Sequence, residues 1–290
     1  MIDIFITGSS GAIGQRILPK LEEKNFRITP INLRKLNNLE SIRQASDNSW
    51  MIHLASINSK ISSEQINIEE NMIKSAIDIA LLKGVQNFIF FSSSKLYPAT
   101  DKQNLASEAS DTVLKDPYSK SKINCELILK AHAEKFKSAS VFRLAPVLIR
   151  SPSSNVNLLF KICEIIPVIP LFPAGNTNRR SFLSLRNLEI FLQAYIEQCA
   201  EGYNVLNVCD RSPISTNFLI NEFLDKYRPN VAKFCVPKFL EYLALNLPIL
   251  GKRLHLLYAD NVIDNDKIRN QYSNLNLLET SEAIRLHGLY

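Results

Sequence analysis

Short apolar runs alternate with longer segments of helical periodicity through the first half of the chain. The apolar runs, which predict β-strands, cover residues 2–6, 26–33, 49–55, 87–91 and 139–144. Apolar residues at helical spacing predict helices over about 12–23, 64–83 and 116–136. Strands that alternate with helices of this length form parallel sheets with right-handed crossovers and helices on both faces. The pattern therefore predicts an α/β fold with a doubly wound parallel sheet.

A glycine-rich turn with the sequence T-G-S-S-G-A-I-G occupies residues 7–14, between the first strand and the first helix. Its glycines allow a tight turn, bring backbone amides close to a phosphate and let the helix pack on the strand. Free amides and the positive end of the helix dipole stabilise a pyrophosphate. An ordinary turn is the alternative, but this position favours a Rossmann-type dinucleotide site. The residues predicted to bind the cofactor here are Gly8, Ser10, Gly11, Ala12, Ile13 and Gly14.

The end of the second strand indicates which dinucleotide is bound. In NAD sites an acidic residue about twenty positions past the turn binds the ribose 2′-hydroxyl and repels a 2′-phosphate. Asn32 stands at this place, 24 residues after Gly8, and Arg34 lies just beyond it. Because the carboxylate is missing and a guanidinium is close, we expect NADP(H) to be favoured over NAD(H). In the alternative, Arg34 lies over the adenine ring and discriminates little between NADP(H) and NAD(H).

The alternation becomes less regular after residue 150. The sequence S-P-S-S at 151–154 leads into a proline-rich apolar segment and a polar stretch at 175–180. Further elements are a predicted strand at 203–208, helices at 215–227 and 237–247, and a short strand followed by a helix after 260. We expect residues 1–152 and 183–209 to form the NAD(P)-binding domain, and residues 153–182 and 210–290 to form a smaller C-terminal substrate-binding lobe.

Composition narrows the class of protein. Of the 290 residues, 46% are hydrophobic and 21% are charged, as in ordinary globular proteins. The net charge of +6 comes from dispersed lysines and arginines, which argues against nucleic-acid binding. Cysteines at positions 125, 163, 199, 209 and 235 have neither CxxC nor metal-binding spacing. We therefore expect reduced core cysteines, no metal site and a cytoplasmic location.

Two strongly apolar segments, residues 158–173 and 239–250, are too interrupted to span a membrane. Lys161 and prolines interrupt the first segment, and Glu241 with a proline interrupts the second. We expect both segments to line the core or a cleft, and membrane contact is the alternative. The first apolar run of the chain is short and contains Asp3 without a basic leader, so no signal peptide is expected.

Tyr118 and Lys122 are four residues apart and share one face of a helix that Asp116 and Pro117 are expected to open. A tyrosine with a pKa of about 10 becomes an acid-base catalyst near pH 7 only if its phenolate is stabilised by about 4 kcal/mol relative to the protonated form. One positive charge about 4 Å away supplies this energy at an effective dielectric constant of about 20. Lys122 and an oxidised nicotinamide ring are the two candidate charges. The alternative to a catalytic pair is a structural one, a packed tyrosine beside a solvated lysine, which is the usual interpretation when this spacing occurs without other motifs.

Three serines follow the fourth strand, where hydroxyl groups at the carboxyl end of a central strand can reach a substrate above the nicotinamide. Local capping bonds in a loop are the alternative role for such a run. With these serines the chain resembles the extended branch of the short-chain dehydrogenase/reductase family, the NAD-dependent epimerase/dehydratase group acting on nucleotide sugars. Counting back four residues from Tyr97, as the family pattern does, selects Ser93 as the catalytic hydroxyl, and Ser94 remains the second candidate.

The resemblance extends over nearly the whole chain and implies further site residues. Leu54 and Ala55 match the family's exit from the third strand, Asn71 matches the asparagine of the following helix, and Tyr118 with Lys122 matches the catalytic pair. All of these residues would bind the cofactor.

The second half of the chain resembles the substrate side of bacterial nucleotide-sugar reductases and epimerases. In the sequence R-R-S-F-L-S-L-R-N-L at 179–188, Arg180 matches the arginine that binds the substrate diphosphate. Asn157 falls near the position where those enzymes turn an amide towards the nucleotide. Ser93 and Ser94 complete the set of expected substrate contacts.

One departure from the family pattern narrows the expected chemistry. Dehydratases of this family carry an Asp-Glu pair after the catalytic hydroxyl, whereas this chain has Ser94 and Lys95. The resemblance therefore implies reduction of a 4-keto sugar or 4-epimerisation in surface polysaccharide synthesis, which both move a hydride between C4 and nicotinamide. A catalytically silent NAD(P)-binding regulatory or assembly protein is the rival, against which intact Ser93, Tyr118 and Lys122 argue. A homodimer is left open as the assembly.

Overall fold

A central parallel sheet organises the computed structural model, which describes residues 1–24, 26–35, 39–57, 61–98, 100, 105–149, 155–198 and 200–288. The strands in these residues are β1 (Asp3–Thr7), β2 (Arg27–Ile31), β3 (Ser49–His53), β4 (Asn87–Ser93), β5 (Ser138–Leu144), β6 (Val168–Leu171), β7 (Gly202–Val208) and β8 (Ala232–Cys235). Six strands pair in the order β2-β1-β3-β4-β5-β7, all in parallel. β6 and β8 form a separate parallel pair. The predicted doubly wound α/β fold is confirmed.

Helices connect the strands and cover both faces of the sheet. Within the described residues they are α1 (Gly14–Glu22), α2 (Ile66–Leu82), α3 (Pro117–Ala131), α4 (Asn155–Ile165), α5 (Ala174–Thr177), α6 (Leu185–Gln198), α7 (Thr216–Tyr227), α8 (Lys238–Leu245), α9 (Leu250–Tyr258), α10 (Asp266–Gln271) and α11 (Thr280–His287). α1 and α6 pack on one face of the sheet, and α2 and α3 pack on the other.

Alternation along the strands creates the two main cores. Ile4 and Ile6 of β1 pack in the core under α1 and α6, whereas Phe5 packs in the core under α2 and α3. Because both faces of the sheet are covered, the central strands β1, β3 and β4 contain almost continuous apolar runs. This explains why the strands are visible in the sequence.

A third core lies beside the sheet, between α4, α7 and β6. The rings of Phe160 and Phe223 stack there with their centroids 4.4 Å apart. Farther along the chain, Ile263, Ile268 and Tyr272 pack in the core of α1 and α6. The S-P-S-S segment expected to open the second lobe lies outside the described residues, and the proposed two-lobe boundaries stay a prediction.

The parallel sheet has its topological switch point at β1, which has β2 on one side and β3 on the other. Thr7, Ile31 and His53 end the three strands in register. Ligands of open parallel sheets bind outside the carboxyl ends of strands at such a point. The glycine turn leaves β1 at this place.

Several local predictions can be compared with the structure. Pro30 lies in β2, an edge strand, where its missing amide interrupts no ladder on the open side. β4 is two residues longer than predicted, because Ser92 and Ser93 pair with β5 in register instead of entering a loop. The expected strand after residue 260 is present only as isolated bridges at Asn261 and Ile263.

The cysteine prediction is wrong at one position. Cys125, Cys163 and Cys209 are free and buried, but Cys235 is exposed because β8 lies open to solvent. Cys199 lies outside the described residues.

The prediction that residues 239–250 line a core or a cleft is wrong for most of their side chains. α8 has no buried residue, and Phe239, Tyr242 and Ile249 are 65%, 70% and 74% exposed. The reason is that α8 and α9 pack mainly on each other and leave their outer faces uncovered. Among the described helices, none is long and apolar enough to cross a membrane.

Candidate active site

The glycine turn after β1 has a backbone that only glycine fits. Gly8 has φ +73°, and a Cβ placed on it would lie 2.5 Å from the amide nitrogen of Ala55. A Cβ on Gly14 would lie 2.4 Å from the carbonyl oxygen of Gly8. The turn, the exit of β3 and the start of α1 therefore approach each other more closely than any side chain allows.

Buried polar groups hold β1 and β3 together beneath this turn. The Thr7 hydroxyl and His53 Nδ1 are hydrogen-bonded at 2.8 Å. Burial lowers the pKa of His53 to about 3, and the Lys122 charge acts in the same direction, so the imidazole is neutral. The Ala55 amide lies 3.4 Å from the Thr7 hydroxyl oxygen. These contacts fix the floor of the cofactor end.

The start of α1 suits a bound anion. Ile13 at the N-cap gives the helix no side-chain cap, and the first turn contains no acidic residue. Backbone amides at a helix N-terminus without a competing carboxylate favour a phosphate. The residues present thus fit the pyrophosphate of a dinucleotide, which Gly8, Gly11 and Gly14 would admit.

Asn32 and Arg34 lie just beyond β2, next to the glycine turn in the sheet, and both are exposed. The Asn32 Oδ1 accepts the backbone N–H of Arg34 at 3.0 Å. Neither side chain is held by an ion pair within the described residues. Both are therefore available to a ribose or a ribose phosphate.

Tyr118 and Lys122 lie on the first turns of α3. As predicted, Asp116 caps this helix by accepting the Ser119 amide at 2.7 Å, and Pro117 stands at its first position. The Lys122 Nζ lies 5.8 Å from the centroid of the Tyr118 ring. The close lysine charge is the arrangement that stabilises a phenolate.

The serines lie opposite this pair. Ser93 ends β4 and is half-buried, and its Oγ accepts the backbone N–H of Lys95 at 3.2 Å. Ser94 is buried and begins a short 3₁₀ turn. The Lys95 Nζ lies 5.2 Å from the centroid of the Tyr118 ring, so a second cation flanks the tyrosine.

A buried hydrogen-bond network fixes the strand ends under the serines. Ser92 on β4 donates to Glu126 at 2.5 Å, and Glu126 pairs with Arg143 on β5 at 2.7 Å. Arg143 donates to the Tyr97 hydroxyl at 3.0 Å, and this hydroxyl donates to Asn207 on β7 at 2.6 Å. The network joins three neighbouring strands and α3, which positions Ser93 relative to Tyr118.

Glu69 on α2 is a site residue that the sequence interpretation missed. Its carboxylate lies 3.6 Å from the Lys122 Nζ, and the two residues are only 1% and 2% exposed. The Ser56 hydroxyl donates to Glu69 at 2.8 Å and accepts from Lys122 at 3.0 Å. Burial alone would lower the pKa of Lys122, but the Glu69 carboxylate, Tyr118 and Cys125 together outweigh burial and the pKa is raised.

Asn71, the expected cofactor contact on this helix, lies on its exposed face. Glu69, two residues earlier, belongs to the buried face with Ile66 and Ile73. A single carboxylate on an otherwise apolar helix face was the sequence feature that could have identified it.

Arg180 is held at the far end of the cleft. Its Nη1 donates to the carbonyl oxygens of Leu256, Leu257 and Ala259 at 2.9, 3.2 and 3.1 Å, which caps the end of α9. Within the described residues its Nε and Nη2 make no hydrogen bond. Burial lowers the pKa of this guanidinium, with Asp260 acting in the opposite direction, yet arginine stays charged near neutral pH.

One cleft of about 440 Å³ brings most of the predicted residues together. The predicted residues that line it are Gly8, Gly11, Ala12, Ile13, Gly14, Leu54, Ser93, Ser94, Tyr118, Lys122 and Arg180. Those outside its lining are Ser10, Asn32, Arg34, Ala55, Asn71 and Asn157, although Val156 beside Asn157 belongs to it. Fold and cleft define an α/β protein whose cleft fits a dinucleotide, with a tyrosine and a lysine side by side at the carboxyl edge of its sheet.

Comparison with known families identifies the group. The model of the NAD dependent epimerase/dehydratase family matches residues 4–157, more than half of the 290 residues. The chain therefore belongs to this family, which confirms the predicted resemblance and the prediction of an enzyme. No curated protein sequence matches the chain.

Solved structures share the fold over nearly the whole chain. MoeE5 in complex with UDP-glucuronic acid and NAD is 16% identical, with 98% of this chain and 96% of that chain covered and a TM-score of 0.70. A dTDP-4-dehydrorhamnose reductase from Clostridium acetobutylicum is 15% identical, with 98% and 97% covered and a TM-score of 0.72. The UDP-glucose 4-epimerase of Thermus thermophilus in complex with NAD is 16% identical, with 98% and 97% covered and a TM-score of 0.73.

Proposed function

We propose that this enzyme moves a hydride between a nicotinamide cofactor and C4 of a nucleotide-linked sugar, by 4-keto reduction or 4-epimerisation, in surface polysaccharide synthesis. The observation that carries this function is the single cleft lined by the glycine turn, Ser93, Tyr118, Lys122 and Arg180. Structural neighbours bound to a nucleotide sugar and NAD support the substrate class. We assign residues 1–152 and 183–209 to cofactor binding and residues 153–182 and 210–290 to the substrate lobe.

The chain's own residues have distinct roles in this proposal. A bound nicotinamide would supply the hydride chemistry. Tyr118 gives a proton to the C4 oxygen in the reducing direction and takes it in the oxidising direction. Ser93 holds that oxygen by a hydrogen bond. Lys122 binds the cofactor ribose and stabilises the phenolate, and Glu69 with Ser56 holds the lysine in place.

Glu69→Gln is expected to shift the pH dependence of turnover. The Glu69 carboxylate partly cancels the Lys122 charge, so its removal leaves a larger net positive charge beside the Tyr118 hydroxyl. In the reducing direction Tyr118 must be protonated, and the alkaline limb of the pH–rate profile should move to lower pH by about one unit. Glu70→Gln is the matched control, because Glu70 bonds Asn124 instead of Lys122. An unchanged profile for Glu69→Gln would show that the two charges are not coupled to catalysis.

NADP(H) is expected to bind more tightly than NAD(H). Asn32 offers no charge to repel a 2′-phosphate, and the exposed Arg34 can pair with it. Arg34→Ala should weaken NADP(H) binding by about tenfold or more and spare NAD(H), on the scale of a hydrogen bond to a charged group. Lys35→Ala, next along the chain and also exposed, is the control. Equal dissociation constants for both cofactors in the wild type would reject the preference.

The experiment that tests the function is a turnover assay of the full chain. The purified protein is offered NADPH or NADH with nucleotide-linked 4-keto sugars, and NAD(P) with nucleotide hexoses, while nicotinamide absorbance and sugar products are followed. We expect turnover with at least one nucleotide sugar and none with the free sugar. Cofactor binding without turnover on any nucleotide sugar would favour the silent regulatory protein. The buried free cysteines fit a cytoplasmic enzyme.

A further inference from the structure

The hairpin of α8 and α9, residues 238–258, has an apolar outer surface that nothing in the described chain covers. Its exposed apolar side chains are Phe239 (65%), Leu240 (42%), Tyr242 (70%), Leu243 (58%), Leu247 (50%), Ile249 (74%) and Leu256 (76%). Monomeric soluble proteins rarely expose large contiguous apolar patches outside interaction sites. None of the eight residues of α8 is buried, so packing within the described chain does not explain why this helix is apolar.

Contacts between the two helices and with the rest of the protein define an inner side of the hairpin. A Cβ on Gly251 would lie 2.0 Å from the carbonyl oxygen of Leu245, so the end of α8 and the start of α9 touch through glycine. The Glu241 carboxylate accepts the backbone N–H of Ala174 at 2.8 Å. The rings of Tyr258 and Phe172 are in contact, with centroids 5.6 Å apart. These contacts hold one side of the hairpin on the protein and turn the apolar side outward.

The charged side chains at the outer surface of the hairpin are all positive. Lys238, Lys252 and Arg253 are exposed, and none of them forms an ion pair within the described residues. Glu241 is the one acidic residue in the sequence from 238 to 258, and it is turned inward to Ala174. The outer surface therefore combines apolar side chains with unpaired cations.

We propose that this hairpin docks on the surface of an anionic lipid bilayer. Its apolar side chains would enter the boundary between headgroups and acyl chains, while the three cations would contact lipid phosphates. α8 and α9 have eight and nine residues and are too short to span a bilayer. Docking of a second copy on the same face is disfavoured, because a two-fold contact would bring Lys238, Lys252 and Arg253 together without carboxylates.

Docking would also fix the orientation of the cleft. Arg180 lines the cleft and binds the carbonyl oxygens at the end of α9, so the hairpin adjoins the end of the cleft away from the glycine turn. The membrane would then lie beside that end, and the glycine turn would face away from it. Vesicle binding is measured without substrate, so its outcome is independent of the proposed reaction.

The test is flotation of the full chain with vesicles of phosphatidylcholine alone and of phosphatidylcholine mixed with phosphatidylglycerol. We expect the wild type to bind the anionic vesicles, and added salt to weaken this binding. Phe239→Ser combined with Ile249→Ser, and separately Lys252→Glu combined with Arg253→Glu, should each lower the bound fraction by about tenfold or more. Leu82→Ser combined with Leu286→Ser is the matched control, since these leucines are 59% and 64% exposed outside the hairpin.

A tryptophan at the hairpin gives a second measurement. The chain has one tryptophan, Trp50, which is fully buried, so Phe239→Trp adds the only surface reporter. Its fluorescence should shift to shorter wavelength with anionic vesicles. Failure of the wild type to bind, or hairpin variants that bind like the wild type, would overturn the proposal. A wild-type dimer that Phe239→Ser with Ile249→Ser converts to a monomer would overturn it too, because the patch would then be a self-interface.

Discussion

Tyr118→Phe is expected to lower turnover by at least about a hundredfold and to leave the fold and the cofactor affinity unchanged. The substitution removes only the hydroxyl that gives and takes the proton in the proposed mechanism, and loss of a positioned acid-base group has this scale. The ring of Tyr118 is half-buried at the cleft, between Lys95 and Lys122, and stays in place in the variant. Steady-state rates with the best nucleotide sugar, together with thermal unfolding and cofactor titration, check the result.

The control for this variant is Tyr242→Phe, which removes a hydroxyl from a 70% exposed ring outside the cleft. Near-normal turnover of Tyr118→Phe would contradict the mechanism. Lys122→Ala should be comparably damaging, and Ser93→Ala somewhat less. If Ser94→Ala is more damaging than Ser93→Ala, Ser94 is the hydroxyl that holds the C4 oxygen.

Arg180→Ala is expected to weaken binding of nucleotide sugars and of plain nucleoside diphosphates by about tenfold to a hundredfold, as for loss of a hydrogen bond to a charged group. The Nη1 atom is committed to the end of α9, and the remaining N–H groups of the planar guanidinium are left for phosphate oxygens. The cofactor dissociation constant should stay nearly unchanged, because the glycine turn lies at the other end of the cleft. Isothermal titration calorimetry measures the dissociation constants of the nucleotide sugar, the nucleoside diphosphate and the cofactor.

Arg179→Ala is the internal control, since Arg179 is exposed and is not part of the cleft lining. Arg180 also caps α9, so the thermal midpoint of each variant separates lost stability from lost binding. Weaker cofactor binding with unchanged nucleoside diphosphate binding would contradict the proposed substrate class.

The fold and much of the site could be predicted because their causes are local in sequence. Strands buried on both faces appear as continuous apolar runs, and the turn at residues 7–14 follows one of them directly. Tyr118 and Lys122 are neighbours on one helix, so their spacing alone brings them together. The end of β4 was harder to predict from the sequence. The polar residue Ser92 extends this buried strand because its hydroxyl donates a hydrogen bond to Glu126, which is distant in sequence.

The remaining features depend on contacts between distant segments. Glu69 pairs with Lys122 on another helix. Its place on the apolar face of α2 indicates burial, but no local pattern shows which cation the carboxylate meets. Arg180 meets the end of α9 only in the fold. The apolar composition of residues 239–250 is visible in the sequence, but whether another element covers them is decided by tertiary packing alone.

The most direct test of the central claim is to follow the transferred hydrogen itself. The wild-type enzyme is supplied with a nucleotide-linked 4-keto sugar and NADPH deuterated at the transferring position, and separately with a nucleotide hexose deuterated at C4. Nuclear magnetic resonance of the products should show either new deuterium at C4 of the reduced sugar or inversion at C4 with the original deuterium retained. Deuterium at any other carbon, or no transfer in either experiment, would contradict hydride chemistry at C4.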